Sequence, residues 1–353
     1  MIHRRTLLTF ILLALIMTVA SACVTRSANE DPAPTPNQSA PNPFEPNDPN
    51  TVILGQISHG FAYPQLDENG DILPLEYHGS ELIIDYQVTA SGTAKNVGFL
   101  LFVDGMPQPY KLNSSDSEYR YMHILQLQED DQPTPFSFVF TPVTGKAGDT
   151  LHVSIASVYN PSFIPDMKET TSYGGYQTTL ETGRPLILYK EPEPRPNDLL
   201  QPKALISQVR LSTEPITNEL LERHSSFQTV DMEVLDQQVF SELIVDGSIR
   251  EDHYQVEDNG TLHVAFNIFG HPGVRYRNTF YINHQAIASS EGSTFETTLT
   301  KGNVAVIEAN IDLSQLEDFN TFYVISVPVN AEDFPDDVII LQKTPSLLLY
   351  RAE

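Results

Sequence analysis

The chain has 353 residues, with 20 lysines and arginines against 46 aspartates and glutamates, a formal net charge of −26. A surface this acidic repels nucleic acid and anionic headgroups, which excludes nucleic-acid binding as the expected function. One cysteine rules out an intramolecular disulfide, so the fold must be held by core burial alone, and the length predicts two domains.

At the N-terminus, Arg4 and Arg5 precede a largely apolar run from Leu7 to Ala20, followed by Ser21, Ala22 and Cys23. The run spans 14 residues, short of the roughly 20 of a membrane-crossing helix and inside the roughly 7–15 of a signal-peptide core. This arrangement resembles a bacterial lipoprotein signal. The resemblance implies that residues 1–22 are removed, that the sulfur of Cys23 carries an acyl chain such as palmitate, and that at least one further chain secures the anchor. An ordinary secretory signal with a chance cysteine stays open as the alternative. The expected location is the membrane, with the body facing away from the cytoplasm, outside the cell or in a periplasm. Residues 1–22 carry two arginines and no acid, so the processed chain has 18 basic against 46 acidic residues, a net of −28.

Residues 23–50 read as the lipidated cysteine and a disordered tether. Stretches such as Pro41-Asn42-Pro43-Phe44-Glu45-Pro46 have too little apolar surface to offset ordering entropy, and proline keeps them extended. A second proline-rich stretch, 191–202, interrupts the chain and predicts a linker between domains 51–190 and 203–353.

Between these stretches the pattern is β. The segments 82–88, 98–103, 136–140 and 151–158 are rich in branched and aromatic residues, and the last alternates apolar and polar side chains. Asp104-Gly105 is a strong turn pair. Strands at this spacing, without long helices, predict an all-β chain of two tandem antiparallel sandwiches. The C-terminal half repeats the pattern. Residues 262–268 answer 82–88, and 278–283 answer the strand ending at Val103. Phe138–Phe163 aligns without gaps onto Ala309–Phe334, and 185–190 resembles 346–351. The turn Ala147-Gly148-Asp149-Thr150-Leu151-His152-Val153 is similar to turns of bacterial immunoglobulin-like and fibronectin-type-III-like modules, which implies sandwiches of that kind. Two short helices are expected: one beginning at Thr213-Glu214-Pro215 and carrying Ile216, Leu220 and Leu221, the other capped by Asp312.

The residues of catalysis are sparse. There is no Gly-x-Ser-x-Gly elbow, no free thiol beyond Cys23 and no helical histidine pair. His152 and His263 fall on polar strand positions. No cofactor is expected. Asp67, Asn69 and Asp71 place oxygen ligands at alternate positions, a calcium candidate. The same stretch reads equally as an Asn-Gly turn, and Glu257-Asp258-Asn259-Gly260 repeats it. Tyr119 and Tyr121, and Tyr173 and Tyr176, mark candidate contact loops. The expected function is a non-catalytic, lipid-anchored binding or scaffolding protein of the bacterial envelope. Its membrane contact is the lipid, and its partner another envelope or secreted protein. A solute-binding lipoprotein serving a transporter and a β-sandwich envelope enzyme are the alternatives.

Overall fold

Alternation is plainest in β3 (Leu82–Ser91), where Leu82, Ile84, Tyr86, Val88 and Ala90 are buried and the residues between them are exposed or half-buried. The structure is a computed structural model that describes residues 55–351 except 93, 95, 128–131, 163–176, 178, 194–199, 226–228, 250–252 and 257–259. The described residues all lie in one compact unit, Val52–Glu353. Cys23, the 24–50 tether, Tyr173 and Tyr176 fall outside the described residues.

β3 sits between β1 (Gln56–Phe61) and β8 (Thr134–Phe140), and two-residue β6 (Lys111–Leu112) closes the far side of β8. The facing sheet runs β2 (Leu75–Tyr77), β10 (Thr179–Leu188), β9 (Thr150–Tyr159), β4 (Asn96–Val103) and β5 (Met106–Pro107), with β7 (Met122–Gln126) also on β4. The side chains of Ile84, Tyr86, Phe99, Leu101, Phe138, Val153 and Ile155 fill the space between these two sheets.

The C-terminal half is built alike. One sheet runs β11 (Ile206–Pro215), β19 (Asn303–Asp312), β15 (Thr261–Gly270), β12 (Val239–Val245) and β13 (Ser248–Ile249). The other runs β14 (His253–Val256), β22 (Leu347–Arg351), β20 (Phe319–Pro328), β16 (Arg275–Ile282) and β17 (Gln285–Ala286), with β18 (Thr294–Thr298) on β16 and β21 (Gln342–Lys343) on β20. Val264, Phe266, Tyr276, Phe280, Ile307, Phe322 and Val324 fill its core. The chain is all-β, and among the described residues its ladders are antiparallel with two exceptions: β2 on β10 and β14 on β22 pair parallel, at the same place in each half.

The repeat holds with one slip. Hairpin register makes Phe138 equivalent to Ala309, as in the gap-free alignment, but Val153 then corresponds to Phe322 and not to Val324. The loop from Thr141 to Asp149 is replaced by a shorter 3-10 turn over Leu313–Gln315, whose Asp312 cap accepts from the Ser314 amide. The other helix expectation is corrected. Thr213, Glu214 and Pro215 end β11, and α1 (Asn218–His224) starts one turn later, with Thr217 accepting from the Leu220 amide. Tertiary pairing with β19 takes the first threonine and leaves the second to cap. A further turn, α2 (Met232–Leu235), is capped by Asp231. The two helices cover one end of the outer β12–β15–β19 face through Leu220, Leu235, Phe269, Val304 and Val306.

Candidate functional site

The two inner sheets are buried on both faces. In β4, Phe99, Leu101 and Val103 point into their own sandwich, while Leu100 and Phe102 point the other way. In β20, Phe322 and Val324 point inward and Tyr323, Ile325 and Val327 point out. The outward set joins Tyr121, Met122, Ala156, Val158, Tyr281 and Leu341 in one buried cluster between the sandwiches. The result is four stacked sheets with a seam at the centre.

Polar groups thread this seam. Arg277 pairs with Asp104 at 2.7 Å, across the two hairpins. Glu181 of β10 accepts from the Leu341 amide at 2.8 Å, and burial holds its carboxyl above the usual range. Gln177 is fully buried; its side chain donates to the Pro161 carbonyl at 3.1 Å and accepts from Ser346 at 2.6 Å. Lys343 lies 4.6 Å from the centre of the Tyr323 ring and donates to the Thr344 carbonyl and the Ser346 hydroxyl. Burial lowers its ammonium to about 7. His284 joins Tyr323 to Pro161.

The backbone at His284 is unusual. Asn283 and His284 have φ of 49° and 63°, the conformation that Asp104 and Gly105 adopt at φ 50° and 72° in the equivalent hairpin. A two-residue turn of this kind favours glycine at its second place. The C-terminal half puts a histidine there, and its two ring contacts hold it.

A second buried network lies in the N-terminal sandwich. His59 Nδ1 is 2.6 Å from the Tyr86 hydroxyl, and its Nε2 is 3.0 Å from Ser157 Oγ. A hydroxyl beside an imidazole is the pairing of nucleophilic catalysis. Here Ser157 is fully buried and also accepts from the Leu180 amide, so no substrate reaches it. Burial lowers the His59 imidazole to about 4. The imidazoles of both networks bridge sheets: His59 reaches Ser157 of the facing sheet, and His284 reaches Pro161 across the seam.

The residues singled out from sequence are scattered. Asp67 Oδ1 accepts from the amides of Asn69 and Asp71 at 2.8 and 2.9 Å, which makes an Asx turn, and Gly70 completes it at φ 89°. Among the described residues no group of three His, Cys, Asp or Glu is placed to hold a metal. Tyr119 packs at the sandwich edge with Lys111 over its ring. Tyr121 is corrected as a contact residue: it is 6% exposed, lies in the seam and donates to the Leu200 carbonyl at 2.7 Å. His263 is exposed on the outer face, as expected, and its Nδ1 contacts Asn310.

Sequence reasoning missed two surfaces. The turn at Asp67 is the tip of a small hairpin in which Leu66 pairs with Ile72, and both stand exposed near Tyr63. A cleft of about 610 Å³ opens between Tyr77, Glu81, Thr141, Lys190, Glu191 and Glu193. The isolated apolar residues of 63–73 signalled the first. The cleft joins residues too far apart in sequence to be read together.

No protein-family model matches the chain, and no curated protein matches it. Solved structures do. A chimeric titin Z1Z2 tandem is 10% identical, covering 80% of this chain and 97% of that one, with a TM-score of 0.19. The N-terminal Ig1-2 module of the Drosophila receptor protein tyrosine phosphatase DLAR is 10% identical over 85% of this chain and 99% of that one, at a TM-score of 0.20. The C-terminal domain of the Streptococcus agalactiae AgI/II polypeptide BspA is 7% identical over 84% and 100%, also at 0.20. At these scores the fold class rests on the chain's own sheets. No helix among the described residues is long and apolar enough to cross a membrane.

Proposed function

We propose that this protein is a non-catalytic binding or scaffolding protein of the bacterial envelope, anchored by lipid at Cys23 and lifted from the membrane by the tether 24–50. Its body is two sandwich domains, 51–190 and 203–353, joined by the linker 191–202. The observation that carries the reading is the four-layer stack. The buried imidazoles of His59 and His284 bridge layers, and loops and sheet edges are the surface a partner meets. Two inner sheets buried on both faces also make the body stiff, as a scaffold requires. The partner is another envelope or secreted protein, and the exposed Tyr63, Leu66 and Ile72 are one place for it to dock.

Two measurements test this. Replacing Cys23 with Ser should move the protein from the membrane fraction to the soluble one. Cross-linking in intact cells should join the wild type to an envelope protein, with yield reduced by Leu66→Asp. Sedimentation of the Ser variant with membranes, or turnover of an envelope polymer by the purified chain, would overturn the reading.

A further inference from the structure

Sheet edges in this molecule are mostly short. β6 and β13 have two residues each, β2 has three and β14 four. Short edges are a common defence against unwanted pairing. β11 departs from the pattern: it runs ten residues at the end of its sheet and is exposed along most of its length, and among the described residues it pairs from Gln208 to Pro215 with β19 alone, its first residue Ile206 donating instead to the Ala288 carbonyl. It occupies the side of β19 that corresponds to the side of β8 closed by β6.

The register shows which groups are open. Arg210 lies opposite Glu308, and Pro215 opposite Asn303. The Ile216 amide continues that register by donating to the Gly302 carbonyl. From Gln208 onward, beyond the bulge after Ile206, the even-numbered residues of β11 therefore exchange hydrogen bonds with β19. The odd positions Val209, Leu211 and Thr213 turn N–H and C=O away from the sheet. Pro215, which has no N–H, falls at an odd position, where the ladder needs none. Leu211 is 47% exposed. The Arg210 side chain is 72% exposed and, among the described residues, pairs with Glu308 alone, at 3.6 Å.

We propose that β11 pairs antiparallel with β11 of a second copy, about a two-fold axis through Ser212, joining two five-stranded sheets into one. This register matches open groups with open groups for Leu211 against Thr213 of the second copy, and sets the Val209 N–H against the Pro215 carbonyl. It also sets Arg210 against Glu214 on the outer face, once at each side of the axis. Opposite charges directly across a strand pair are favourable, and like charges unfavourable. In a chain of net charge −26, a strand that pairs with a copy of itself must bring its own cation, and Arg210 is that cation. One strand pairing buries less than the roughly 1,200 Å² of a stable interface, so the dimer is weak and depends on concentration.

Sedimentation equilibrium of the full chain in detergent, over a concentration series, tests the proposal. The wild type should show a reversible monomer–dimer equilibrium. Arg210→Glu and Glu214→Arg should each abolish the dimer, because both interface pairs then join like charges. An equimolar mixture of these two variants should restore it, because both pairs again join opposite charges; that recovery also shows both variants to be folded. Leu211→Pro removes an outward N–H, leaves the β19 ladder intact and should abolish the dimer too. A wild type that stays monomeric overturns the proposal and leaves the edge to a strand of another protein. A dimer indifferent to both charge reversals, or a mixture that stays monomeric, overturns it as well.

Discussion

His284 Nε2 stands 2.8 Å from the carbonyl oxygen of Pro161, across the seam between the sandwiches. A carbonyl only accepts, so Nε2 carries the proton, and Nδ1, 3.0 Å from the Tyr323 hydroxyl, is the acceptor. That assignment requires a neutral ring, and burial lowers its pKa from 6.5 to about 4. His59 is lowered to about 4 for the same reason.

The consequence is acid sensitivity. An unfolded histidine takes up its proton near pH 6.5, and these two in the folded chain do so only near 4. The unfolded state thus binds more protons between those values, and stability falls as pH drops through that window. Each pKa unit is worth about 1.4 kcal/mol. Urea unfolding between pH 7 and pH 4 should show the decline, and His284→Gln should flatten part of it. An unchanged slope in that variant would mean that the ring is not held neutral.

Lys343 gives the same sign in an alkaline window. Its folded pKa is about 7 against 10.5 for an ordinary lysine, so stability should rise as pH increases from 7 to about 10.5. Lys343→Met keeps the length of the side chain and removes the cost of burying an ammonium. The variant should be more stable than wild type at pH 7, by on the order of 1 kcal/mol, with the gap closing near pH 10. Ser346 keeps its bond to Gln177 in either case. A Met variant less stable at pH 7 would show that the contacts to Thr344 and Ser346 outweigh desolvation.

Much of this architecture was legible. The branched and aromatic residues of 82–88 and the Asp104-Gly105 pair are local signals, and both gave the correct element. The seam was not read, although its trace is present. Phe99-Leu100-Leu101-Phe102-Val103 and Phe322-Tyr323-Val324-Ile325 are apolar at every position, as strands covered on both faces are. A run that is apolar at every position does not say what covers its second face, and Tyr121, a candidate contact residue by sequence, lies in that seam. The polar groups of the seam join Gln177 to Ser346 and Asp104 to Arg277. Partners more than 160 residues apart leave no local pattern.

Glu242 on β12 is held by three donors. Arg223 and His224 of α1 approach at 3.0 and 3.3 Å, and Asn267 at 2.9 Å. Burial alone would raise its pKa, but the hydrogen bonds from His224, Arg223 and Asn267 outweigh it and bring the value to about 2. A depressed carboxyl stabilises the fold above its unfolded value of 4.5, and the contribution is lost as pH falls toward 2. Glu242→Ala should cost about 2 kcal/mol at pH 7, below the roughly 3–5 of a fully buried pair because Arg223 is one-third exposed. The difference from wild type should shrink between pH 4.5 and pH 2, as measured by thermal unfolding.

Calcium should leave the melting temperature unchanged. The Asp67 carboxylate already accepts from two backbone amides, and its other oxygen lies 3.4 Å from the Asn69 side-chain nitrogen. A cation would have to displace those donors. A rise of several degrees on adding millimolar calcium would show that it does.

Residues 203–353 expressed alone should unfold in one cooperative transition, because Val264, Phe266, Phe280, Ile307 and Phe322 form a core without help from the N-terminal half. Separation would expose Tyr281, Tyr323, Ile325 and Val327, an apolar patch of the sort that drives association. Ile325 separates the two environments. In the full chain it is fully buried, and Ile325→Asp strands a charge in the seam, so the melting temperature should fall sharply. In the isolated half the same position faces water. There Ile325→Asp should leave the melting temperature nearly unchanged and reduce self-association in sedimentation. Equal destabilisation in both settings would show that Ile325 belongs to the core of its own sandwich and not to the seam.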